Sequence, residues 1–485
     1  MPGITLLGLG PGNPIHLTRE AWEKLQSTSE IHLRTRQHPT VDGLPSHLVI
    51  HSFDHLYDAS ESFEEVYDQI IKEILTLGRR EKGVIYAVPG DPFVAEATSP
   101  EISRQGHELG IPVRVINGLS FLEPVFATLG IDPLPHLLIL DAIELTQKHI
   151  AAFPPDQPVL IAQIYSKLIA AEVKVTLNTV FPDEHPVVLV HSAGMPGVKV
   201  ERIKLYEIDR SEEIGLTTVL YVPPLGEGTS FESFQELVAR LRAPGGCPWD
   251  REQTYQSMRP HLLEEAYEVL TAVDTNDMNK MVEELGDLLL QIVMNIQIAS
   301  EEGDFKMTDV IQGIGNKLIR RHPHVFGDLE IPDVQGVLRN WEKIKSAERG
   351  ETGRHEGVMD GVPITLPALS QAQEYQERAA RVGFDWKVMD GVWEKVIEEI
   401  GELKEVKNDA QFSAELGDLI FSLVNLARWK KMDAEIAMRE ANARFRRRFS
   451  AMENWAIMEG KELSQMNAEE LDRLWEKVKD DETIT

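Results

Sequence analysis

Apolar residues follow two rhythms along this chain, and the change of rhythm divides it. Up to about residue 222 they come in short runs that end in glycine and proline. Residues 4–10, Ile-Thr-Leu-Leu-Gly-Leu-Gly, predict a strand running into Pro-Gly-Asn-Pro, and Thr18 then opens a helix with Ala21, Trp22 and Leu25 at helical spacing. Residues 83–88 predict a second strand, ending in Pro89-Gly90-Asp91-Pro92. Residues 111–116 predict a third, ending in Asn117-Gly118-Leu119-Ser120, with a helical segment after it through Phe126. Strands alternating with helices predict an α/β domain with a largely parallel sheet, and ligands of such sheets collect beyond the carboxyl ends of the strands. All three glycine-containing turns fall at that edge. Further strands are expected at residues 158–162, 186–191 and 217–222; His191 ends the middle one as an ordinary polar residue. Residues 223–228, Pro-Pro-Leu-Gly-Glu-Gly, read as a linker.

From Ser230 onward no strand pattern appears and the rhythm is helical throughout. Its densest stretch runs from Trp393 to Asn425. Glu398, Glu399 and Glu402 are neighbours at helical spacing, and Glu415, Asp418 and Asn425 line one stripe of a second helix whose other residues are apolar. Such a helix is expected to be buried. Carboxylates crowded in a poorly hydrated place raise one another's pKa, and a divalent cation relieves the repulsion. An all-oxygen donor set points to Mg²⁺ or Mn²⁺ rather than zinc. The competing reading is a solvated acidic face. Against it, none of the five acids has a Lys or Arg four residues downstream, the usual support on an exposed helix, and Lys395 reaches only Glu398 or Glu399.

The pattern occurs twice. Glu264, Glu265 and Glu268 are followed by Glu284, Asp287 and an apolar run. A basic segment follows each run: Lys317, Arg320 and Arg321 in the first copy, Arg444, Arg446, Arg447 and Arg448 in the second. An aromatic precedes each, Trp249 in Cys-Pro-Trp-Asp and Trp386 in Phe-Asp-Trp. The same features in the same order mark an internal repeat. A polar, glycine-rich connector (residues 349–357) joins the copies, and a charged helical tail follows Glu459.

Composition changes this picture little. The 485 residues suggest about three domains. A net charge of −30 without a basic region argues against nucleic acid as a partner, though nucleotides need only a local cation. One cysteine, Cys247, excludes an intramolecular disulfide. The beginning lacks a basic segment followed by a long apolar one, and no run reaches the roughly 18 apolar residues of a membrane helix, so a soluble, cytoplasmic protein without membrane partners is expected.

The EExxE and ExxD pairs, with Pro-Trp-Asp before and Arg-Arg-His-Pro-His-Val-Phe behind, resemble the MazG family over about residues 230–460. That family consists of all-α, metal-dependent nucleoside triphosphate pyrophosphohydrolases. The resemblance implies cleavage between the α and β phosphates and a homodimer, because a short helical repeat completes its bundle with a partner. Gly8-Leu-Gly-Pro-Gly12-Asn-Pro with Leu17-Thr18, Pro-Gly-Asp-Pro and Asn-Gly-Leu-Ser resemble the tetrapyrrole methylase family over about residues 3–223. This implies S-adenosylmethionine binding, with Gly8, Gly10 and Gly12 in the first turn, Gly90 and Asp91 in the cofactor loop, and Gly118 and Ser120 facing it. Asn13 stands where that family commonly has Asp, and Asn117 where it has Pro, so methyl transfer and its acceptor stay open.

The expected architecture is multidomain: a methylase-like α/β domain over residues 1–224, then two all-α MazG-like domains over 229–350 and 368–485. The expected metal ligands are Glu398, Glu399, Glu402, Glu415 and Asp418, with Glu264, Glu265, Glu268, Glu284 and Asp287 in the first copy. One of the Glu398 group orients the attacking water. Asn425 bonds the nucleotide; Lys395, Arg444, Arg447 and Arg448 meet phosphate oxygens; Trp386 covers a base or is plain core. Met294 stands where the second copy has Asn425, which favours the second copy for catalysis. The alternatives are a small-molecule methyltransferase whose helical repeats only dimerise, and a non-catalytic sensor.

Overall fold

A computed structural model describes residues 3–59, 62–351 and 357–482. The centre of the polar connector, residues 352–356, and the end of the charged tail, residues 483–485, lie outside the described residues. The chain forms two compact units, Met1–Ile311 and Gln312–Thr485.

The first unit begins with a five-stranded sheet of β1 (Ile4–Gly8), β2 (Glu30–Leu33), β3 (Val49–Ser52), β4 (Val84–Val88) and β5 (Val113–Ile116), in the order β3-β2-β4-β1-β5. Every pairing is parallel, with Ile4 opposite both Val84 and Val113. The central strands are apolar on both faces because helices cover both, and β4 is buried at all its residues. Thr18 caps the first helix by accepting the Ala21 backbone N–H.

A second sheet holds β6 (Leu138–Asp141), β7 (Val159–Ala162), β8 (Pro186–His191), β9 (Lys199–Lys204) and β10 (Thr218–Val222), in the order β6-β7-β10-β8-β9. Only β6 and β7 run parallel; the rest is antiparallel, so the largely parallel expectation holds for the first sheet and not for this one. The short stretch between β8 and β9 permits a hairpin, which a parallel crossover would not. His191 closes β8, buried, with Nδ1 3.0 Å from Thr218 Oγ1.

Beyond the linker every described element is helical. In the first unit, α1 (Phe231–Arg242) starts at Ser230, whose hydroxyl donates to Asp156 at 2.6 Å, and leads to α2 (Tyr255–Thr275), α3 (Met278–Glu302) and α4 (Met307–Arg321), the last spanning the division between the units. Helices α2 and α3 pack along their length, and Val238, Met258, Val293, Met294 and Ile296 make the core they share with α1. The second unit contains α5 (Val334–Glu351), α6 (Ala368–Arg381), α7 (Met389–Glu405), α8 (Asp409–Trp429), α9 (Ala434–Met458) and α10 (Ala468–Glu482). There α7 and α8 form the corresponding hairpin. No described helix is long and apolar enough to cross a membrane.

The three glycine turns leave β1, β4 and β5 at the carboxyl edge of the parallel sheet, packed on one another. Gly10 and Gly90 exchange backbone hydrogen bonds of 3.1 and 2.8 Å, both at positive φ. A Cβ on Gly8 would stand 2.5 Å from the Gly90 carbonyl oxygen, and one on Gly118 would overlap that oxygen and lie 2.9 Å from Gly8 Cα. Backbone cannot yield there. Gly118→Ala is expected to cost about 3 kcal/mol, read as a lowered thermal transition of the first unit; an unshifted transition would contradict the close packing of the turns.

Candidate functional site

In the second unit the acids sit on two facing helices. Val392, Val396 and Glu399 form the buried stripe of α7, so the periodicity that packs the two valines draws the glutamate inward with them. Asn408 caps α8 by accepting the Gln411 backbone N–H at 2.9 Å, which fixes where that helix begins and therefore where Glu415 and Asp418 fall. Glu399, Glu402 and Glu415 each offer a carboxylate oxygen, and these lie within 4.8 Å of one another. Burial, Glu402 and Asp418 together push the Glu415 carboxyl above its ordinary range. Glu399 Oε2 is buried without a hydrogen-bond partner, while Oε1 takes the Lys395 ammonium at 2.7 Å. Lys395 also meets Glu398 at 2.9 Å, and the two carboxylates raise its pKa.

The first copy repeats this. Glu265, Glu268 and Glu284, at the corresponding places on α2 and α3, bring three carboxylate oxygens within the same 4.8 Å. Burial and then Asp287 raise the Glu265 carboxyl, and Glu284 is the main cause for Glu268. Glu284 is buried, with Lys280 Nζ at 3.6 Å. Glu264 stands 3.8 Å from His261, which occupies the place of Lys395.

One expectation needs correction. The acids are not uniformly buried: Glu399 and Glu284 are, whereas Glu264, Glu398, Glu402 and Asp418 are exposed. The apolar residues that promised burial, Leu416, Ile420 and Leu423 on α8 and Leu285, Leu289 and Ile292 on α3, are themselves exposed. Among the described residues each keeps between 38 and 49% of its surface exposed. The basic segments lie on the helices that follow each acidic hairpin, α4 and α9. Arg444, Arg447 and Arg448 ride on α9, which packs against α6, α8 and α10; Arg444 faces Glu440 at 3.8 Å and the Arg448 guanidinium lies over the Trp475 ring. In the first copy Arg321 and Arg320 both pair with Glu348 at 2.6 Å and hold its carboxyl at about 2.

Asn425 is buried on α8 and its Oδ1 accepts from Arg428 Nε at 2.9 Å. Both Arg428 Nη atoms grip Asp385, at 3.0 and 2.6 Å, and Trp429 Nε1 donates to the same carboxylate at 3.1 Å. These partners escaped the sequence reading; the only local hint was Asn425-x-x-Arg428 at one helical turn. Trp386, next in the chain, is not core: 42% of its surface is exposed, and one ring edge lies against Gly391.

In the first unit Gly8, Gly10, Gly12, Gly90 and Gly118 gather at the carboxyl edge of the parallel sheet, Gly12 against Met195. Asp91 is buried, accepting from the Phe93 and Gly118 backbone N–H groups at 2.9 and 3.1 Å; it ties two of the turns together. Ser120 is buried too, donating to Glu123 at 2.6 Å. Near this edge, and unexpected from sequence, Arg34 forms a part-buried ion pair with Glu96 and bonds Tyr57 and Tyr67. A third cluster, Glu30, His32 and His51, is already served by Arg80 and Lys82, which pair with Glu30.

Comparison with known proteins agrees with both halves. Residues 3–209 match the tetrapyrrole (corrin/porphyrin) methylases, and residues 253–326, which hold the first acidic copy, match the MazG nucleotide pyrophosphohydrolase domain. The uncharacterized protein YabN of Bacillus subtilis is 40% identical over 99% of both chains. The nucleoside triphosphate pyrophosphohydrolase/pyrophosphatase MazG of Thermotoga maritima is 46% identical over 252 residues, 52% of this chain and 96% of that protein. A crystal structure of uroporphyrin-III C-methyltransferase from Thermus thermophilus is similar at 23% identity and a TM-score of 0.36, covering 46% of this chain and 94% of that one. Through its helical half the chain belongs to the MazG nucleotide pyrophosphohydrolase family, with a tetrapyrrole methylase family domain ahead of it.

Proposed function

We propose that the helical half hydrolyses nucleoside triphosphates to the monophosphate and pyrophosphate, and that the second acidic copy is the principal site. One observation carries this: the same three carboxylates converge in both copies, and in the second a buried oxygen, Glu399 Oε2, has no partner. A buried carboxylate oxygen without a donor costs free energy unless a ligand completes it. Oxygen donors at this spacing suit Mg²⁺ or Mn²⁺, held by Glu399, Glu402 and Glu415 with Asp418 beside them. When bound, the cation neutralises phosphate oxygens and polarises a water. Glu398, exposed and outside the converging three, orients that water. Lys395, released from Glu399, turns to a phosphate oxygen. Asn425 contacts the nucleoside, and Arg447 reaches the triphosphate across a homodimer. The exposed apolar stripes, repeated in the same positions on α3 and α8, support a second copy of the chain as their cover.

In the front domain the backbone of Gly8, Gly10, Gly12, Gly90 and Gly118 forms a surface for S-adenosylmethionine, with Asp91 and Ser120 shaping the turns. Methyl transfer to a small molecule is the second activity in this reading, served by a turn geometry that leaves room beside Gly90, where a Cβ would meet nothing within 4 Å.

Incubated with nucleoside triphosphates and Mg²⁺, the chain is expected to release pyrophosphate, and nothing without the cation; orthophosphate and a diphosphate would contradict α–β cleavage. The raised carboxyl pKa values give the pH dependence. Folded Glu415 holds its proton more tightly than an unfolded glutamate of ordinary pKa 4.5, so without metal the fold gains stability below that value and loses it as pH rises through the raised one. The cation must displace that proton, so the Mg²⁺ concentration for half-maximal rate rises as pH falls toward 5; a pH-independent requirement counts against these ligands. Glu399→Gln is expected to lower turnover by about two orders of magnitude or more, and Glu265→Gln by less. The reverse order would make the first copy the principal site. Calorimetry with S-adenosylmethionine should give saturable binding; none at millimolar ligand would defeat the cofactor assignment.

A further inference from the structure

We propose that the segment Phe384-Asp385-Trp386, latched to α8 by Asp385, forms with Asn425 the nucleobase and sugar end of the second copy's site, with Asp385 and Arg428 as positioning residues for substrate selection. This rests on the hydrolase reading above and names where its substrate's base lies.

Helices α7 and α8 run antiparallel, so the first turn of α7 lies beside the last turns of α8. Gly391, on which Trp386 rests, precedes Glu399 by eight residues, about 12 Å along the helix, and Asn425 follows Asp418 by seven, about 10 Å. Trp386 and Asn425 therefore share one end of the hairpin, and both are displaced in the same sense from the carboxylates. A separation of that order suits a nucleotide whose phosphates sit among the acids and whose base sits at the far end.

The hydrogen bonds at that end decide what is recognised. Arg428 can only donate, so the Asn425 atom facing its Nε at 2.9 Å must be the carbonyl oxygen. With that oxygen turned to Arg428, the NH₂ is the group Asn425 turns toward a ligand. The NH₂ takes an acceptor on a ligand: a ring nitrogen or carbonyl oxygen of a base, or a sugar hydroxyl. The guanidinium has no freedom to turn Asn425 over, because its other two nitrogens are spent on Asp385 at 3.0 and 2.6 Å. Asp385 Oδ1 collects two further donors, Trp429 Nε1 at 3.1 Å and the Trp386 backbone N–H at 2.9 Å. One carboxylate thus fixes both the amide that reads the ligand and the backbone of the aromatic residue beside it. The indole lies so close to the helix that a Cβ on Gly391 would stand 2.5 Å from Trp386 Cδ1. Its exposed surface is left for a base to stack on.

The first copy has none of this. Met294, Gln297 and Ile298 stand where the second has Asn425, Arg428 and Trp429; Met294 and Ile298 are buried in an apolar cluster, and Gln297 donates to Glu301 at 2.9 Å. The two copies share a phosphate end and differ at the base end.

The test is steady-state kinetics of the full chain with several nucleoside triphosphates, using Asp385→Asn and Arg428→Lys, with inorganic tripolyphosphate as a base-free competitive inhibitor. Each variant is expected to raise KM about tenfold, to change kcat little, to narrow the preference among bases, and to leave both the tripolyphosphate inhibition constant and the Mg²⁺ requirement as in the parent. Parent-like KM and base preference would overturn the proposal. So would equal weakening of tripolyphosphate and nucleotide, which would make the latch a support for the phosphate end. If the charge variants fail to fold, Gly391→Ala, which displaces Trp386 and leaves the latch intact, carries the test: KM must rise, and an unchanged KM overturns it. A parent chain that releases no pyrophosphate sinks the hydrolase reading itself, whereas an active parent with insensitive variants sinks only this inference.

Discussion

Mutual repulsion among carboxylates on two facing helices is the constraint from which the helical half takes its meaning. Helical periodicity sets Glu399 in line with Val392 and Val396, so packing the valines carries the charge inward. Glu402 and Glu415 then close on it, and burial, with the charges of Glu402 and Asp418, raises the Glu415 pKa. A fold selected for stability alone would put apolar residues there, since burying an acid without a counter-charge is costly. Lys395 offsets part of the charge by pairing with Glu398 and Glu399, yet it leaves one Glu399 oxygen without a partner. The same arrangement in Glu265, Glu268 and Glu284 makes an accident of side-chain placement a poor explanation.

The front domain meets a different constraint by a similar economy. Three strand ends converge, and only glycine at Gly8 and Gly118 lets their backbones touch. Asp91 then joins the turns by accepting from the backbone on both sides. The surface so formed is made of peptide groups, which suits a ligand read by backbone hydrogen bonds rather than by charged side chains.

Much of this was legible in the sequence because it repeats or punctuates. Glycine turns after apolar runs located β1, β4 and β5, and the doubled acidic spacing located both helical hairpins. Strands β2 and β3, Glu-Ile-His-Leu and Val-Ile-His-Ser, are four residues long and carry histidines, so no apolar run announced them. Strand β9, Lys-Val-Glu-Arg-Ile-Lys, is an edge strand with mostly charged residues. The burial expected for Glu402 and Asp418 followed from their apolar neighbours, but Leu416 and Ile420 face outward in the chain taken singly. Arg447 follows the acids in sequence on α9, which packs on α6, α8 and α10. The Asp385–Arg428 pair joins residues 43 apart, and no local pattern encodes a contact at that separation.

The central claim is that these carboxylates exist to hold a divalent cation against a polyphosphate. Anomalous diffraction from crystals soaked in Mn²⁺ with a nonhydrolysable nucleotide tests it most directly. Manganese density is expected among Glu399, Glu402 and Glu415, touching phosphate oxygens. Those side chains turned to bulk water, with no ion between them, would contradict it.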